Sequence, residues 1–328
     1  SNWRFALPTG TNTWRDGSEH TVTARATDNA NNRTTSSTLT ARKGVYNDIN
    51  GDGYADLVAG APGYSSATGQ VYVFHSAGSP GVVATDAASA NTRITGEATS
   101  NQFGVSVAVG DVNGDGYADV VAGARGYSSN TGRVYVFHST GSLGVTAANA
   151  ASANTRITGE TTGNSLASVA VGDINGDGYA DVVAGAYGYN TNTGRVYVFH
   201  SAGSLGVTAA NAASASTRIT GEATSLLGIS VATGDVNGDG FADVVAGAYA
   251  YSTSTGRVYV FHSTGGQGVT ATDAASANTR VTGEATNNYL GRSVATGDVN
   301  GDGFADVVAG AYGFSSNAGR VYVFHSTG

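Results

Sequence analysis

The stretch "DVNGDGYADVVAGA", residues Asp111–Ala124, joins an Asp-rich loop to an apolar run, and near copies of it occur five times in the chain. The copies begin at Asp48, Asp111, Asp173, Asp235 and Asp298, so that consecutive copies are 62 or 63 residues apart. A fixed spacing of this size is typical of tandem structural repeats. The stretch therefore marks one unit of a repeated fold.

Each unit contains four short segments rich in Val, Ile, Tyr and Phe and bounded by Gly or Asn, a composition typical of β-strands. In the second unit they are "SVAVGD" (106–111), "ADVVAGA" (118–124), "RVYVFH" (133–138) and "NTRITGE" (154–160). Both faces of the third segment are apolar, which predicts a strand covered on both sides. The fourth carries Ile on one face and polar residues on the other, which predicts an outer strand partly in water.

Four strands per unit without a helical pattern predict an all-β fold, a β-propeller of four-stranded blades built from five repeats of about 62 residues. The propeller is predicted over residues 44–328, with repeats starting near residues 44, 104, 167, 228 and 291. The last repeat lacks a fourth strand segment. Either an element from elsewhere closes this blade, or its free edge pairs with a second copy of the chain to give a homo-oligomer.

Residues 1–43 lie outside the repeat and are predicted to form a short N-terminal β segment of three strands, "WRFALP", "HTVTARATD" and "TSSTLTARK". Two interpretations remain open. The segment resembles the closing strands of bacterial immunoglobulin-like extracellular domains, of which three strands are only a part. Alternatively, residues 20–29 resemble residues 92–101 and supply the missing outer strand of the fifth blade.

The Asp-rich loop has the pattern of a cation site. Numbered from Asp111, oxygen-bearing side chains fall at positions 1, 3, 5 and 9, which are Asp111, Asn113, Asp115 and Asp119, and the backbone carbonyl of Tyr117 lies at position 7. Calcium takes about six to eight oxygen ligands from alternate positions of this kind, and the spacing suits magnesium less well. A helix-loop-helix calcium hand is excluded because an alanine occupies position 12, where that motif has a bidentate Glu.

We therefore predict one calcium ion (Ca2+) per repeat, about five in all. The predicted ligands are Asp48, Asn50, Asp52, Tyr54 and Asp56; Asp111, Asn113, Asp115, Tyr117 and Asp119; Asp173, Asn175, Asp177, Tyr179 and Asp181; Asp235, Asn237, Asp239, Phe241 and Asp243; and Asp298, Asn300, Asp302, Phe304 and Asp306. The aromatic residue in each set contributes its backbone carbonyl.

Charge and composition exclude several partners. The formal net charge is −8 and Lys43 is the single lysine, so that nucleic acid is not a predicted partner. No run of 18 apolar residues occurs, which argues against direct membrane insertion. No Cys is present, so thiolate metal sites are excluded and oxygen ligands are favoured.

Two further motifs connect the loops to a known family. Phe103 and Gly104 form an "FG" pair, and Gly60, Ala61 and Pro62 form a "GAP". Together with the Asp-rich loops they resemble the FG-GAP repeat of integrin α-subunit propellers and of many bacterial surface proteins. The resemblance implies a calcium-binding propeller in an extracellular or bacterial cell-surface location. Propellers of this family usually have seven blades, whereas five repeats are countable here.

The family motifs vary among the repeats. "FG" is replaced by Leu166-Ala167, Leu227-Gly228 and Leu290-Gly291, and the third residue of "GAP" by Arg125, Tyr187, Tyr249 and Tyr312. In propellers of this family these turns share one rim, opposite the calcium loops. Tyr on such a rim suits recognition of a protein or glycan ligand, with plain surface filling as the alternative.

The remaining polar patterns predict structural roles. One His follows the third strand segment of each repeat, at His75, His138, His200, His262 and His325. Because the five lie on different blades, we predict packing or a hydrogen bond for each one and no joint metal site. Arg156 and Glu160, and their counterparts in the other repeats, are predicted to form exposed ion pairs. No Ser-His-Asp set or phosphate loop stands out, so no catalysis is predicted.

The sequence thus predicts a calcium-stabilised extracellular propeller that is a non-catalytic adhesion or scaffold module, with a protein or glycan ligand at its rim. Assembly by strand exchange between copies is one variant of this hypothesis. A propeller lectin and an accessory domain of a secreted enzyme are the alternatives.

Overall fold

The computed structural model describes residues 47–327 and, before them, the backbone of four short strands. β1 (Glu19–Val22) pairs antiparallel with β4 (Leu39–Arg42), and β2 (Arg25–Thr27) pairs with β3 (Arg33–Thr35). The strand predicted for "WRFALP" lies outside the described residues. The interpretation of residues 1–43 as an immunoglobulin-like remnant or a closing strand stays a prediction.

Five antiparallel sheets follow, one per repeat, with their strands in chain order. The first sheet contains β5 (Leu57–Ala61), β6 (Gln70–Phe74) and β7 (Thr92–Thr95). The second contains β8 (Phe103–Gly110), β9 (Asp119–Ala124), β10 (Arg133–Phe137) and β11 (Thr155–Thr158). The third contains β12 (Leu166–Gly172), β13 (Asp181–Ala186), β14 (Arg195–Phe199) and β15 (Thr217–Thr220). The fourth contains β16 (Ser230–Gly234), β17 (Asp243–Ala248), β18 (Arg257–Phe261) and β19 (Thr279–Thr282), and the fifth β20 (Leu290–Gly297), β21 (Asp306–Ala311) and β22 (Arg320–Phe324).

The helices of the described residues are single turns. Those between the second and third strands are α1 (Tyr64–Ala67), α2 (Tyr127–Asn130), α3 (Tyr189–Asn192), α4 (Tyr251–Ser254) and α5 (Phe314–Asn317). Short 3-10 turns precede the outer strands, at Ala87–Ser89, Ala150–Ser152, Gly203–Leu205, Ala212–Ser214 and Ala274–Ser276.

The predicted all-β propeller of four-stranded blades is confirmed, with five sheets matching the five repeats. The second, third and fourth sheets each have four strands. In the described residues the first and last sheets have three strands each. In the first sheet no inner strand lies within the described residues. In the last sheet the outer strand is missing from these residues, as the sequence of the fifth repeat predicts.

Neighbouring blades pack a valine face against an aromatic face. Val134 and Val136 of β10 share one buried cluster with Tyr197 and Phe199 of β14 in the next repeat. These four side chains are at most 2% exposed. Burial of each contributes about 1.5–3 kcal/mol. The two-sided apolar strand predicted from "RVYVFH" is therefore a layer between two neighbours.

The backbones of successive blades also approach closely at the second strand. A Cβ atom on Gly185 of β13 would overlap the carbonyl oxygen of Gly228, which precedes the first strand of the next blade. Gly60, Gly123 and Gly247 meet the next repeat in the same way. The glycine of the "GAP" position is thus required by contact between blades.

Replacing Gly185 by alanine should lower the free energy of unfolding by about 3 kcal/mol, because the methyl group forces the two backbones apart. The matched control is Gly63→Ala, since a Cβ at Gly63 meets no atom within 4 Å. Urea denaturation of both variants tests this prediction. Equal stabilities for the two variants would contradict the proposed close contact.

The turns between the second and third strands belong to the blade junctions. In α2, Ser128, Ser129 and Asn130 have positive φ angles of 47°, 55° and 62°. Left-handed backbone costs roughly 1–2 kcal/mol for each non-glycine residue. The carbonyl of Asn130 accepts a hydrogen bond of 2.7 Å from the N–H group of Ser165 in the next repeat. Such bonds between repeats hold the turn in its strained conformation.

The ion pairs differ from the prediction. Glu160 does not pair with Arg156 of its own repeat. Its Oε1 lies 3.0 Å from Nη1 of Arg195 in the next repeat. The Tyr197 hydroxyl donates to the same oxygen at 2.9 Å, and the Arg195 guanidinium lies 3.7 Å from the centre of the Tyr189 ring. Glu160 follows the end of β11, where the chain turns towards the next blade. The predicted exposed pair is therefore wrong, and the actual pair is a partly buried link between blades.

Candidate metal centre

The Asp-rich loops connect the first and second strands of the blades. The loop Asp111–Asp119 leaves β8 and ends on the first residue of β9. Gly114 and Gly116 have φ angles of +70° and +88°, which glycine adopts without strain. The structure therefore brings the five predicted residues of each copy into one tight turn.

Side-chain carboxylates organise this turn by accepting backbone hydrogen bonds. Asp111 Oδ1 accepts from the N–H groups of Gly114 at 2.6 Å and Asp115 at 3.2 Å, and Oδ2 accepts from Gly116 at 2.9 Å. Asp115 Oδ1 accepts from Tyr117 at 3.0 Å. The other four loops repeat this pattern.

The last Asp of the loop is buried and ties three segments together. Asp119 Oδ2 accepts from the N–H groups of Val112 at 2.9 Å and Asn113 at 3.3 Å. Its Oδ1 accepts from Ser139, just after the third strand, at 2.8 Å. Equivalent bonds of 2.8 Å join Asp56 to Ser76, Asp181 to Ser201, Asp243 to Ser263 and Asp306 to Ser326. This serine was missed in the sequence, although the recurrence of "FHS" after every third strand is the signal for it.

Negative charge accumulates around this buried group. Burial raises the pKa of the Asp119 carboxyl to about 7, and the charges of Asp115 and Asp111 add to the effect. Burial raises the pKa of Asp181 to about 7 as well. Within residues 47–327, no Arg or Lys forms an ion pair with the carboxylates of the second loop. A bound dication would supply the missing positive charge.

The chemistry of the donor set fits calcium, because each loop offers three carboxylates, one amide oxygen and one backbone carbonyl. In the described residues, however, no group of three or more His, Cys, Asp or Glu side chains is placed to hold a metal ion. The carboxylates are occupied by backbone N–H groups, and Asn113 Nδ2 donates to Asp115 Oδ2 at 3.0 Å. The calcium ions and their ligands stay predictions.

The raised pKa values predict how stability depends on pH in the presence of a chelator. Folded Asp119 holds its proton up to about pH 7, whereas the unfolded chain releases it near its ordinary pKa of 3.8. The metal-free protein should therefore lose stability as the pH rises from about 4 to about 7. Calcium, which binds the ionised form, should remove this loss.

Thermal unfolding in EDTA at about pH 5 and about pH 8 measures this effect. The variant Asp119→Asn serves as a control because it lacks one of the carboxyl groups whose pKa is raised. Its unfolding midpoint should therefore fall less between the two pH values. If the unfolding midpoint of the wild type in EDTA rises with pH, the pKa of Asp119 is not raised in the folded protein.

Three of the repeat histidines lie at blade junctions, whereas Nδ1 of His325 lies 3.1 Å from Oδ2 of Asp306 in its own repeat. The Nε2 atoms of His75, His138 and His200 are buried without a hydrogen-bond partner, and each faces a glycine of the next repeat. Burial lowers the pKa of His138. These side chains pack between blades, as the packing interpretation predicts.

Tyrosines cluster at the other ends of the strands. The rings of Tyr289 and Tyr312 are stacked with centroids 4.6 Å apart and an interplanar angle of 9°. Tyr249 lies 5.9 Å from Tyr289, and the Arg292 guanidinium lies 5.6 Å from the centre of the Tyr249 ring. We call Tyr249, Tyr289, Tyr312 and Arg292 the tyrosine platform. Arg125 instead donates a hydrogen bond to Gln102.

The family model described as "FG-GAP repeat" matches residues 44–74, 103–137, 165–199, 227–261 and 290–324, which together exceed half of the chain. The chain belongs to the FG-GAP repeat family. Each match contains the Asp-rich loop of a repeat and those of its first three strands that the structure describes. In this FG-GAP protein, none of the helices in the described part of the chain has the length and apolar character that a membrane crossing requires.

Several known proteins resemble this FG-GAP chain. Phosphatidylinositol-glycan-specific phospholipase D of Bos taurus is 36% identical over 186 residues, covering 50% of this chain and 22% of that protein. Integrin alpha-IIb of Homo sapiens is 34% identical over 160 residues, covering 44% and 14%, and integrin alpha-4 of Xenopus laevis is 28% identical over 201 residues, covering 60% and 18%. This chain therefore spans less than a quarter of each of these relatives.

The solved structure of the exotype rhamnogalacturonan lyase YesX aligns with 89% of this FG-GAP chain and 51% of its own chain. Its TM-score is 0.40 and its sequence identity is 13%. A similarity this low carries no information about function.

Proposed function

We propose that this chain is a calcium-stabilised, extracellular propeller module that acts in adhesion or as a scaffold and performs no catalysis of its own. The observation that carries the proposal is the buried aspartate at the end of each loop, typified by Asp119, which lies beside two further carboxylates. The similarity to integrin α chains supports an adhesive role. The resemblance to bacterial surface proteins supports a location on the bacterial cell surface.

Calcium would act by fixing the loop that joins the first two strands of each blade. Asp119 also binds Ser139 after the third strand, so that a cation in the loop braces three strands. Extracellular calcium in the millimolar range keeps sites of modest affinity filled. The proposed role of the ion is therefore structural, and it leaves the opposite rim available for a ligand.

A partner at the rim and assembly with a second copy are further parts of the proposal. In the described residues β22 pairs on one side only, and its Val321 and Val323 are 68% and 43% exposed. Such an edge accepts an added strand through its backbone groups. A protein ligand or a strand from a second copy would satisfy these groups.

Calcium should raise the unfolding temperature of the metal-free protein. Each site loaded at tenfold saturation contributes about 1.4 kcal/mol. Asp115→Asn, which alters an exposed predicted ligand, should reduce the calcium-dependent shift. Asp86→Asn is the matched control, because Asp86 caps a surface turn at which the second repeat has Asn149. Calorimetric unfolding with EDTA, magnesium and calcium tests this prediction, and an equal midpoint in all three solutions would refute calcium stabilisation.

Carbohydrate binding is the second candidate function, and the tyrosine platform favours it. Tyr312 is 48% exposed and stacks on Tyr289, so that the pair presents an aromatic face to solvent. Among the described residues Arg292 has no carboxylate partner, which suits a sugar that bears an acidic group. Aromatic faces with nearby polar groups are typical of ligand sites.

Tyr312→Ala should weaken binding of an acidic oligosaccharide such as oligogalacturonate at least about tenfold, whereas Tyr64→Ala should leave it unchanged. Tyr64 is a matched control because it is 44% exposed and lies outside the platform. Isothermal titration measures the affinities. Binding that is absent in the wild type, or equal in the two variants, would contradict carbohydrate binding at the platform.

A role beside a catalytic domain is the third candidate. It is supported only by the relative that is named a phospholipase D, of which this chain covers 22%.

A further inference from the structure

Successive Asp-rich loops contact each other through the aromatic residue at position 7. The ring of Tyr117, in the second loop, lies against Gly51 of the first loop, where a Cβ atom would overlap it. The same contact joins Tyr179 to Gly114, Phe241 to Gly176 and Phe304 to Gly238. In the first four loops a side chain at position 4 would therefore overlap the ring of the next loop, in addition to the positive φ that glycine has at this position in all five loops.

Hydrogen bonds reinforce each of these junctions. The N–H group of Ala118, at position 8, donates to the carbonyl of Asp48 in the preceding loop at 2.9 Å. Ala180, Ala242 and Ala305 donate in the same way to Asp111, Asp173 and Asp235. The Ser139 hydroxyl donates to the carbonyl of Ile49 at 2.6 Å, while its N–H group binds Asp119 of its own loop. Three groups thus reach from the second, third and fourth repeats into the loop before each. In the fifth repeat the Ser326 hydroxyl donates instead to the carbonyl of Ala305 in its own loop.

Tyr117 belongs to two loops at once. Its backbone carbonyl is the predicted position 7 ligand of the second loop, and its ring and the N–H group of the next residue contact the first loop. A cation in the second loop would fix the backbone of residues 115–119, and with it the ring that shapes the first loop. Coupling of this kind is reciprocal, because each bound ion favours the conformation that its neighbour needs.

We infer that the aromatic residue at position 7 is a positioning residue that couples each loop to the preceding one, so that calcium binds along the array with positive cooperativity. The inference rests on the proposed calcium binding. The coupling residues are Tyr117, Tyr179, Phe241 and Phe304. Nearest-neighbour coupling of this type is typical of tandem repeats, in which each unit contacts only its neighbours.

Calcium titration calorimetry of the full chain, stripped of metal, tests the inference with Tyr179→Ala and Tyr54→Ala. Both variants lose a ring at position 7 and keep the carbonyl. The Tyr54 ring belongs to the first loop of the chain, contacts Gly78 of its own repeat and is 47% exposed, so that Tyr54→Ala is the matched control. Circular dichroism establishes that each variant is folded.

The wild type should bind with a Hill coefficient above one. Tyr179→Ala should bind the same number of ions with a lower Hill coefficient and a half-saturating calcium concentration about fivefold higher. Tyr54→Ala should behave as the wild type, and Tyr179→Phe should restore binding because the fourth and fifth loops have Phe at this position. Independent sites in the wild type, or identical titrations of the two alanine variants, would overturn the inference.

A second variant keeps the test decisive if Tyr179→Ala does not fold. Asp177→Ala removes a predicted ligand of the third loop and keeps the ring of Tyr179. Coupled loops predict weaker binding at the remaining sites, whereas independent loops predict unchanged affinity there, which would overturn the inference. A wild-type protein that binds no calcium would instead refute the proposed function, so the two failures are distinguishable.

Discussion

Contact between consecutive blades is the constraint on which the structure depends. The valine face of one blade is buried against the next, since Val134 and Val136 share a cluster with Tyr197 and Phe199 of the next repeat. The backbones meet at Gly185, where no side chain fits. The partly buried pair of Glu160 and Arg195 crosses the same boundary. The stability of the array therefore contains a term for each junction between repeats in addition to a term for each sheet.

The Asp-rich loops illustrate two uses of one residue type. Asp111 is half-buried and Asp115 exposed, and both fold the loop through its backbone N–H groups. Asp119 is fully buried and joins the loop to the residue after the third strand. One residue type thus both folds the loop and joins it to the rest of the blade.

Much of the fold and of the candidate site could be predicted from the sequence. The strands follow from local alternation, as in "RVYVFH", and the loop follows from the spacing of Asp111, Asn113, Asp115 and Asp119. The relations between repeats could not be predicted, because they depend on how one blade sits on the next. The partner of Glu160 and the ring of Tyr117 over Gly51 are of this kind.

The left-handed turns were also missed, for a different reason. Ser128 and Ser129 have no intrinsic preference for positive φ, and the hydrogen bond from the following repeat to the carbonyl of Asn130 helps to keep the turn in this conformation. Local propensity therefore underdetermines conformation wherever a neighbour supplies the compensating bonds.

The unlike faces of each blade give the array a polarity. A valine surface always meets an aromatic surface, and the loops always reach backwards along the chain, so that a unit fits its neighbours in one direction only. If one unit were inverted, its aromatic surface would face the aromatic surface of a neighbour, and the ring of Tyr117 would no longer lie against Gly51. Duplicating or deleting a whole unit, by contrast, recreates a native boundary, and this permits the number of blades to change by recombination without redesign of any surface.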